Sequence, residues 1–409
     1  MGVDEERNRR KRRKQFMCAT ILFALLFVLY YFEKKINPQD TTIFAFSYRY
    51  GFISRGLLGS FWIWLDAHTS ISLMNFHAIY RFTQLVTVVY FVVLLWFYSL
   101  ALKKSNAEDE KKMYALVIFL SVFTFPMFLS LENFGRLDEY LMIGVLVCLL
   151  LLICEKAEWL IVPICMICTI AHQGFVFLEV NIILVLLLYK VLKKPKKQAM
   201  KYLAIFVTTF LVMSGFFVYF EFYSHVANQG VYNEIVANAK AISQDGNSYL
   251  KQLVDHEILG IDVFNEEKVF HVMNWQELPV FVLFFLPYIV IGMRFFIGLI
   301  KQATNKKEKL AYLFVVIGPM TVVPEILLKV DLGRYLFSIF FYYIAIVIAL
   351  MALQDELVRS ELKKLVKRYN AKLPLLVILI FYPILFMPFL DVHTDQLIWN
   401  QVQILRNHF

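Results

Sequence analysis

The sequence predicts an all-α, polytopic membrane protein, and its composition and apolar runs are the reasons. Of the 409 residues, 60% are hydrophobic and 18% are charged, whereas soluble domains carry roughly 25% charged residues. Many apolar stretches approach or exceed the roughly 20 residues that a helix needs to cross a bilayer. Runs such as LMIGVLVCLLLLI lack the alternation of a transmembrane β-strand.

Eleven apolar segments predict about eleven transmembrane helices. The first follows a basic stretch, but no small-residue cleavage site follows Phe32, so we interpret it as a retained span and not as a signal peptide. Two of the segments are short and are separated by His172-Gln173-Gly174; one long tilted helix is the alternative for this pair. The segments are 16–32, 80–102, 113–131, 140–153, 159–171, 176–192, 202–222, 279–300, 310–328, 335–352 and 373–390.

Positive charge decides the orientation of these helices. With a cytoplasmic N-terminus, the predicted inner segments hold 29 of the 41 lysines and arginines, as the positive-inside rule requires. Merging the two short helices would move the lysine-rich segments 190–201 and 353–372 to the outside. The C-terminus is therefore predicted to face outwards, and residues 1–15 form a basic cytoplasmic tail beside anionic lipid, with no nucleic-acid partner.

The predicted organisation is one transmembrane domain over residues 16–390, followed by an outer C-terminal tail at 391–409. Two large segments lie outside. The first, 33–79, includes a re-entrant or interfacial helix near 52–65. The second, 223–278, is polar and acidic and is interpreted as a lid over the outer face.

Charged residues concentrate in the outer half of this arrangement. Charges at membrane depth are costly and indicate function. The short loops ENFGRLDEY and VDLGRY each place Gly-Arg beside an acid, and SRGLLGS in the first outer segment repeats the pairing of arginine with glycine. The planar guanidinium group of arginine matches phosphate and carboxylate groups. A structural network of salt bridges is the alternative interpretation of these arginines.

The sequence contains no sign of a nucleotide, metal or disulfide site. The inner loops have neither GxxxxGK[ST] nor GxGxxG. The histidines lack the spacing of metal ligands, so no metal or cofactor is predicted. The five cysteines lie in or beside apolar runs, which disfavours a disulfide framework, and the CxxC of ICMIC is interpreted as helix packing.

A lipid-linked pyrophosphate is the substrate that this chemistry suggests. Its isoprenoid tail would lie among apolar helices, and guanidinium groups would bind its pyrophosphate at headgroup depth. Glycosyl transfer needs stabilisation of the departing pyrophosphate and a base for the attacking hydroxyl group. Arginines provide the first function, and a carboxylate or His172 provides the second.

The layout resembles the bacterial polysaccharide polymerases of the Wzy or O-antigen polymerase type and, more broadly, the GT-C membrane glycosyltransferases. The resemblance rests on the number of spans, the large outer loop late in the chain, and the motifs YRYGFISRGLLG, FGRLDE, AHQGF and DLGRY. It implies a polymerase or transferase in the bacterial cytoplasmic membrane with an outward-facing site. An undecaprenyl-pyrophosphate-linked oligosaccharide would be its substrate, and a flippase and a chain-length regulator its partners.

The resemblance and the chemistry together give the candidate residues. Many GT-C enzymes carry a paired acidic motif in the first outer loop, where this chain has only Asp40 and Asp66. Asp138 is therefore favoured as the base, because it lies beside Arg136 in a short loop, and His172 is second. The catalytic candidates are Asp138, His172 and Arg136; the candidates for binding pyrophosphate or glycan are Arg49, Arg55, Arg334, Asp331, Gln173 and Glu139.

Two other functions remain open at this point. A transporter or flippase for an anionic solute or lipid-linked sugar could use Glu179 and Glu325 as coupling carboxylates, the latter beside Pro324. The charges, however, concentrate at one face, and no inverted repeat is found. An outer-face acyltransferase using His172 is the third hypothesis.

Overall fold

The computed structural model describes residues 41–104, 136–224, 229–242, 270–328 and 332–370. These residues form helices and no strand. Five helical stretches among them are long and apolar enough to cross a membrane: Phe76–Ala101, Leu137–Cys154, Lys196–Phe222, Lys306–Ile326 and Arg334–Ala352. The prediction of an all-α membrane protein is therefore confirmed, while the count of eleven spans stays a prediction. The predictions for 1–15, 16–32, 113–131, 373–390 and 391–409 concern residues outside the described part of the chain.

The described part contains thirteen α-helices, which we number in chain order. They are α1 (Gly56–His68), α2 (Phe76–Lys104), α3 (Leu137–Cys154), α4 (Ile161–Ala171), α5 (Phe175–Leu178), α6 (Val180–Lys193), α7 (Lys196–Phe222), α8 (Gln229–Ile242), α9 (Phe270–Gln302), α10 (Lys306–Ile317), α11 (Val323–Leu328), α12 (Leu332–Ala352) and α13 (Glu356–Asn370). Short 3-10 turns occupy Ile43–Ala45, Tyr48–Tyr50, Glu158–Leu160 and Gly318–Val322.

Helix α6 lies at the centre of the bundle. It is mostly apolar, with its lysines near the end, as suits an enclosed helix, and it packs against α3, α7, α10 and α12. Helix α7 is different, because it exposes large apolar side chains such as Val207, Phe210 and Leu211. A continuous exposed apolar face of this kind is what a helix presents to lipid.

The chain reverses direction at His172-Gln173-Gly174. Glu158, just before α4, forms an ion pair of 2.8 Å with Lys201 at the start of α7. Lys190, near the end of α6, lies 3.3 Å from the hydroxyl group of the adjacent Tyr202. The start of α4 and the end of α6 are therefore at the same end of the bundle. The structure shows two antiparallel passes here, as predicted, and not one merged helix.

The predicted inner segments contact one another at that end. Lys104 donates a hydrogen bond of 2.8 Å to the carbonyl oxygen of Ile153, and Lys193 pairs with Glu308. Within the described part, this lysine-rich end holds eighteen lysines and arginines against six acids, and the opposite end holds six against eight. The asymmetry agrees with the positive-inside rule, although the compartment that each end faces stays a prediction. The segments counted at the lysine-rich end are 103–104, 154–158, 190–201, 301–309 and 353–370.

Two predicted spans are interrupted. The segment 310–328 consists of α10, the 3-10 turn Gly318–Val322 and α11, because Pro319 and Pro324 cannot donate backbone hydrogen bonds. The segment 176–192 is divided between α5 and α6 at Glu179. The predicted lid also differs in extent, because α9 already begins at Phe270. Within this lid, α8 is described, whereas 243–269 lies outside the described residues.

The first outer segment folds back on itself. Helix α1 covers most of the helix predicted near 52–65, and it packs against the turn Ile43–Ala45. The indole of Trp62 is buried and donates a hydrogen bond of 3.0 Å to the carbonyl oxygen of Leu73. A Cβ atom at Gly59 would lie less than 3.0 Å from the carbonyl oxygens of Phe46 and Phe44. The second glycine of SRGLLGS is therefore needed for this close approach of helix and turn.

The substitution Gly59→Ala is expected to destabilise the protein by about 3 kcal/mol, which is the upper part of the range for an overpacked core. The expected effect is large because a backbone oxygen cannot move aside as a side chain can. The matched control is Gly215→Ala in α7, where a Cβ atom would meet nothing within 4 Å. The control should stabilise by about 0.5–1 kcal/mol through helix propensity. Thermal unfolding in detergent would measure both, and equal effects would contradict the packing argument.

Candidate functional site

The chain reverses between α4 and α5 at the end of the bundle opposite the lysines. Helix α4 has only 11 residues, about 16 Å at 1.5 Å per residue, whereas α2 has 29 and α7 has 27. Together with the turn Glu158–Leu160, α4 is still shorter than the hydrocarbon thickness of about 30 Å. The reversal at His172-Gln173-Gly174 joins this short helix to the longer stretch formed by α5 and α6.

An ion pair between α3 and α12 lies at this end. The guanidinium group of Arg334 donates through Nη2 to both oxygens of Asp138, at 2.9 and 3.0 Å, and through Nε at 3.2 Å. The Asp138 side chain is 2% exposed and that of Arg334 is 13% exposed. The pair joins residues separated by 196 positions. Such forked, charge-assisted contacts fix the plane of the guanidinium group.

Glu179 lies beside this pair at the break between α5 and α6. Its charged neighbours are Asp138, Arg334 and Glu325. The carboxyl group is buried, and its Oε2 has no hydrogen-bond partner. We refer to Asp138, Glu179, Glu325 and Arg334 as the charged cluster. With three acids to one arginine, it has more acceptor oxygens than donors.

The break at Glu179 is stabilised by side chains of other helices. The carbonyl oxygen of Phe177 accepts a hydrogen bond of 2.9 Å from the hydroxyl group of Thr321. The carbonyl oxygen of Leu178 accepts one from Ser338 on α12. Irregular backbone at membrane depth is tolerated only where such partners exist or a cavity is lined. The helix interruption at Glu179 is thus stabilised by tertiary hydrogen bonds.

Glu139 is the most enclosed acid in this region. It lies one residue after Asp138, is fully buried, and has no hydrogen-bond donor on either carboxylate oxygen. Thr87 is a polar neighbour, but its hydroxyl group donates to the carbonyl oxygen of Thr83 at 3.1 Å. An isolated acid in an apolar bundle is expensive, and such residues generally serve function.

The reversal between α4 and α5 holds the other two polar candidates. The Nδ1 atom of His172 accepts a hydrogen bond of 2.9 Å from the backbone N–H of Gly174. A neutral His172 ring therefore carries its proton on Nε2 and acts there as a donor. A Cβ atom at residue 174 would lie 2.8 Å from the His172 ring, which explains the glycine of AHQGF. Gln173 accepts a hydrogen bond from Ser54, the neighbour of Arg55.

The predicted arginines occupy different surroundings. Arg136 is buried at the N-cap of α3, two residues before Asp138. Arg55 is half-buried at the N-cap of α1, next to the Ser54–Gln173 contact. Arg49 lies apart from these contacts, because it forms an exposed pair with Glu234 on α8 and bonds the hydroxyl group of Tyr50 at 2.6 Å.

The structure thus joins some of the predicted residues and separates others. Asp138 and Arg334 are in direct contact, Arg136 and Glu139 are on the same turn of α3, and Gln173 contacts the segment before α1. Asp331 lies outside the described residues. In the described segments, no group of three or more His, Cys, Asp or Glu side chains could hold a metal ion.

Glu179, Thr321 and Ser338 belong to the site but were absent from the predicted list. The sequence offered one signal for Glu179, because a lone acid in an otherwise apolar run stands out. Thr321 and Ser338 gave none, since a hydroxyl group in an apolar helix usually bonds to its own backbone.

Arg55 has a backbone conformation that is rare for a residue with a side chain, with φ of 59° and ψ of 7°. We expect Arg55→Gly to be more stable than Arg55→Ala by about 1 kcal/mol, because only glycine adopts this conformation without strain. Both variants remove the same charge, so thermal unfolding isolates the backbone contribution. Equal melting temperatures would show that the conformation relaxes when the guanidinium group is lost.

Comparison with known protein families, with curated proteins and with solved structures found no match for this chain.

Proposed function

We propose that this protein transfers or polymerises glycan units from an undecaprenyl-pyrophosphate-linked donor at the outer face of the bacterial cytoplasmic membrane. The observation that carries the proposal is the charged cluster at one end of an apolar helix bundle, in which Asp138 and Glu179 are buried and Glu179 follows shortly after the chain reversal. A lipid-linked pyrophosphate combines an apolar tail, a dianionic headgroup and a polar glycan. The tail matches the apolar helices, the headgroup matches the arginines, and the glycan matches the polar reversal.

Arg334 is the proposed ligand for the pyrophosphate, and Asp138 is the residue that positions it. Both oxygens of Asp138 accept from Arg334, so the carboxylate is already engaged in fixing the guanidinium group. This geometry favours an orienting role for Asp138 over the catalytic role expected from the sequence. Arg136 and Arg55 flank the cluster and the reversal, and we propose them as further phosphate contacts.

Glu179 is the proposed base, since its Oε2 has no hydrogen-bond partner and the Asp138–Arg334 pair is among its charged neighbours. The hydroxyl oxygen of the acceptor sugar attacks the anomeric carbon of the donor, and the bond from that carbon to the pyrophosphate oxygen breaks. The electron pair leaves on the pyrophosphate, beside guanidinium groups that stabilise its charge. The hydroxyl proton passes to Glu179. The His172 Nε2–H remains as a donor to the glycan.

A transporter for an anionic solute or lipid-linked sugar is the second candidate, and the interrupted helices favour it. The chain breaks at Glu179 and again at Gly318–Val322, shortly before Glu325. Broken helices that expose backbone and carboxylates occur at substrate and ion sites of transporters. In this function the same acids would couple ion movement to transport.

Reconstitution in liposomes with a lipid-linked oligosaccharide distinguishes the two functions. A transferase is expected to form new glycosidic bonds, detected as longer glycans, and Arg334→Gln and Glu179→Gln should abolish them. Arg81→Gln is the matched control, because Arg81 is an exposed arginine at the same end that donates a hydrogen bond to Gln84. Movement of the oligosaccharide across the bilayer without new bonds would replace the proposal by transport.

A further inference from the structure

A cavity of about 880 Å³ opens at the lysine-rich end, away from the charged cluster. It lies between the last residues of α2, α3, α6, α9 and α12 and the first residues of α10 and α13. Its volume falls within the range of about 300–1,000 Å³ that small-molecule sites occupy. Its charged lining residues are Lys104, Lys190, Lys193, Lys194, Glu155, Glu308, Asp355 and Glu356.

Glu155 forms ion pairs with two of these lysines. Lys194 and Lys190 lie 2.6 and 2.9 Å from its Oε1. Burial raises the pKa of Glu155, but the hydrogen bonds from Lys194 and Lys190 and their charges outweigh burial and lower the pKa to about 2. Glu155 is therefore ionised at neutral pH. It can accept from either lysine, so one of them can change partner without leaving the carboxylate alone.

Asp355 holds its position without needing a lysine. The hydroxyl group of Tyr312 donates to its two oxygens at 2.7 and 2.8 Å, and Tyr189 and the backbone N–H of Val358 donate as well. The Nζ atom of Lys193 lies 3.6 Å away, at the limit of an ion pair. Loss of Lys193 would therefore leave this buried carboxylate with hydrogen-bond donors.

Lys193 and Lys194 are the lysines best placed to bind a ligand. Their side chains are 28% and 32% exposed, whereas Lys190 is 1% exposed. Partly solvated ion pairs stabilise a protein by roughly 0–1 kcal/mol, so exchanging Glu308 or Glu155 for another anion costs little. Both lysines lie at the end of α6 and line the cavity, Lys193 beside Glu308 and Asp355 and Lys194 beside Glu155.

The surroundings determine the sign of the ligand. The cavity lining is balanced, with four lysines and four acids, but the described part of this end holds eighteen lysines and arginines against six acids. A cleft within such an excess of one charge concentrates ions of the opposite sign. Lysine ammonium groups bind phosphate oxygens as point charges.

We propose that this cavity binds a phosphate-bearing anion, with Lys193 and Lys194 as its principal contacts. The source of the phosphate is either the headgroup of an anionic phospholipid or a free phosphate compound. This site is separate from the charged cluster, and the proposal does not depend on glycan transfer.

Binding can be tested on the full-length protein in nanodiscs by thermal unfolding. Inorganic pyrophosphate is added to discs of phosphatidylcholine, and a second series contains phosphatidylglycerol. We expect a saturable rise in melting temperature in at least one series. A response to pyrophosphate identifies a free anion, and a response to phosphatidylglycerol alone identifies a lipid headgroup. No saturable response in either series would overturn the proposal.

Matched charge variants distinguish binding at Lys193 and Lys194 from general electrostatic attraction to the lysine-rich end. Lys193→Gln/Lys194→Gln should weaken binding by about tenfold or more, the effect of one or more lost charged hydrogen bonds. Lys363→Gln/Lys364→Gln removes the same charge from exposed positions of α13 outside the cavity and should bind as the wild type does. Equal weakening by both pairs would overturn the proposal. Lys193→Arg/Lys194→Arg keeps the charges and must retain binding, which guards against a folding defect.

Discussion

Replacing Arg334 by alanine is expected to destabilise the protein by about 3–5 kcal/mol, because it leaves the carboxylate of Asp138 buried without its cation. Asp138 is 2% exposed and accepts three hydrogen bonds from that guanidinium group. The converse variant, Asp138→Ala, should cost less, since Arg334 is 13% exposed and can reach water. Thermal unfolding in detergent would measure both.

The double variant Asp138→Leu/Arg334→Met is the decisive control. Replacing both members of a buried ion pair by apolar residues of similar size is often neutral or stabilising. We therefore expect the double variant to be more stable than either single variant, with a coupling free energy of about 3 kcal/mol. If the free energies of the single variants simply add in the double variant, the two side chains do not interact as the structure shows.

This double variant also tests function apart from folding. If the pair serves only stability, the stable double variant should retain glycan transfer or transport. Under the proposed function it should form no product, because the pyrophosphate ligand and its orienting carboxylate are both gone. Measurement of product together with melting temperature separates the two interpretations that the sequence left open for the arginines.

The helical segments and the grouping of the loops were predictable because each depends on local composition. Apolar runs of sufficient length specify helices, and clusters of lysine specify which ends lie together. The reversal at His172-Gln173-Gly174 was predictable for the same reasons, since merging its helices would have separated the lysine-rich segments. These are properties of neighbouring residues or of summed charge, and neither requires knowledge of tertiary contacts.

The partner of Asp138 could not be found in this way. The sequence favoured Arg136, but residues two apart at a helix start do not face each other. The carboxylate turns to Arg334, 196 positions later. A broken helix at Glu179 belonged only to the transporter hypothesis, and the hydroxyl groups of Thr321 and Ser338 that stabilise it could not be predicted, because they come from distant parts of the chain. Tertiary contacts decide both features.

The cavity at the opposite end was missed for a related reason. The sequence presented the inner segments as separate short charged loops, without a nucleotide motif. In the structure these segments meet at Asp355, which accepts hydrogen bonds from residues of α6, α10 and α13. Only the packing of these helices reveals that the lysines of α6 line a shared space.

Glu139→Met is the second substitution with a large expected effect, and stability and activity should change in opposite directions. Neither carboxylate oxygen of Glu139 has a hydrogen-bond donor, and the side chain is fully buried. An unsatisfied buried polar group costs about 1–3 kcal/mol. Methionine fills a similar volume without polar atoms, so thermal unfolding should show stabilisation of about that size.

The same variant is expected to lose glycan transfer. A buried acid that lowers stability is generally retained because the function of the protein needs it. Under the proposed function, the acceptor oxygens of Glu139 would bind hydroxyl groups of the sugar. Thr87→Val serves as the control, since it removes the polar neighbour of Glu139 and leaves the carboxyl group in place. If Glu139→Met is destabilised, hydrogen-bond donors satisfy this carboxyl group. If the variant is stabilised and fully active, Glu139 does not belong to the functional site.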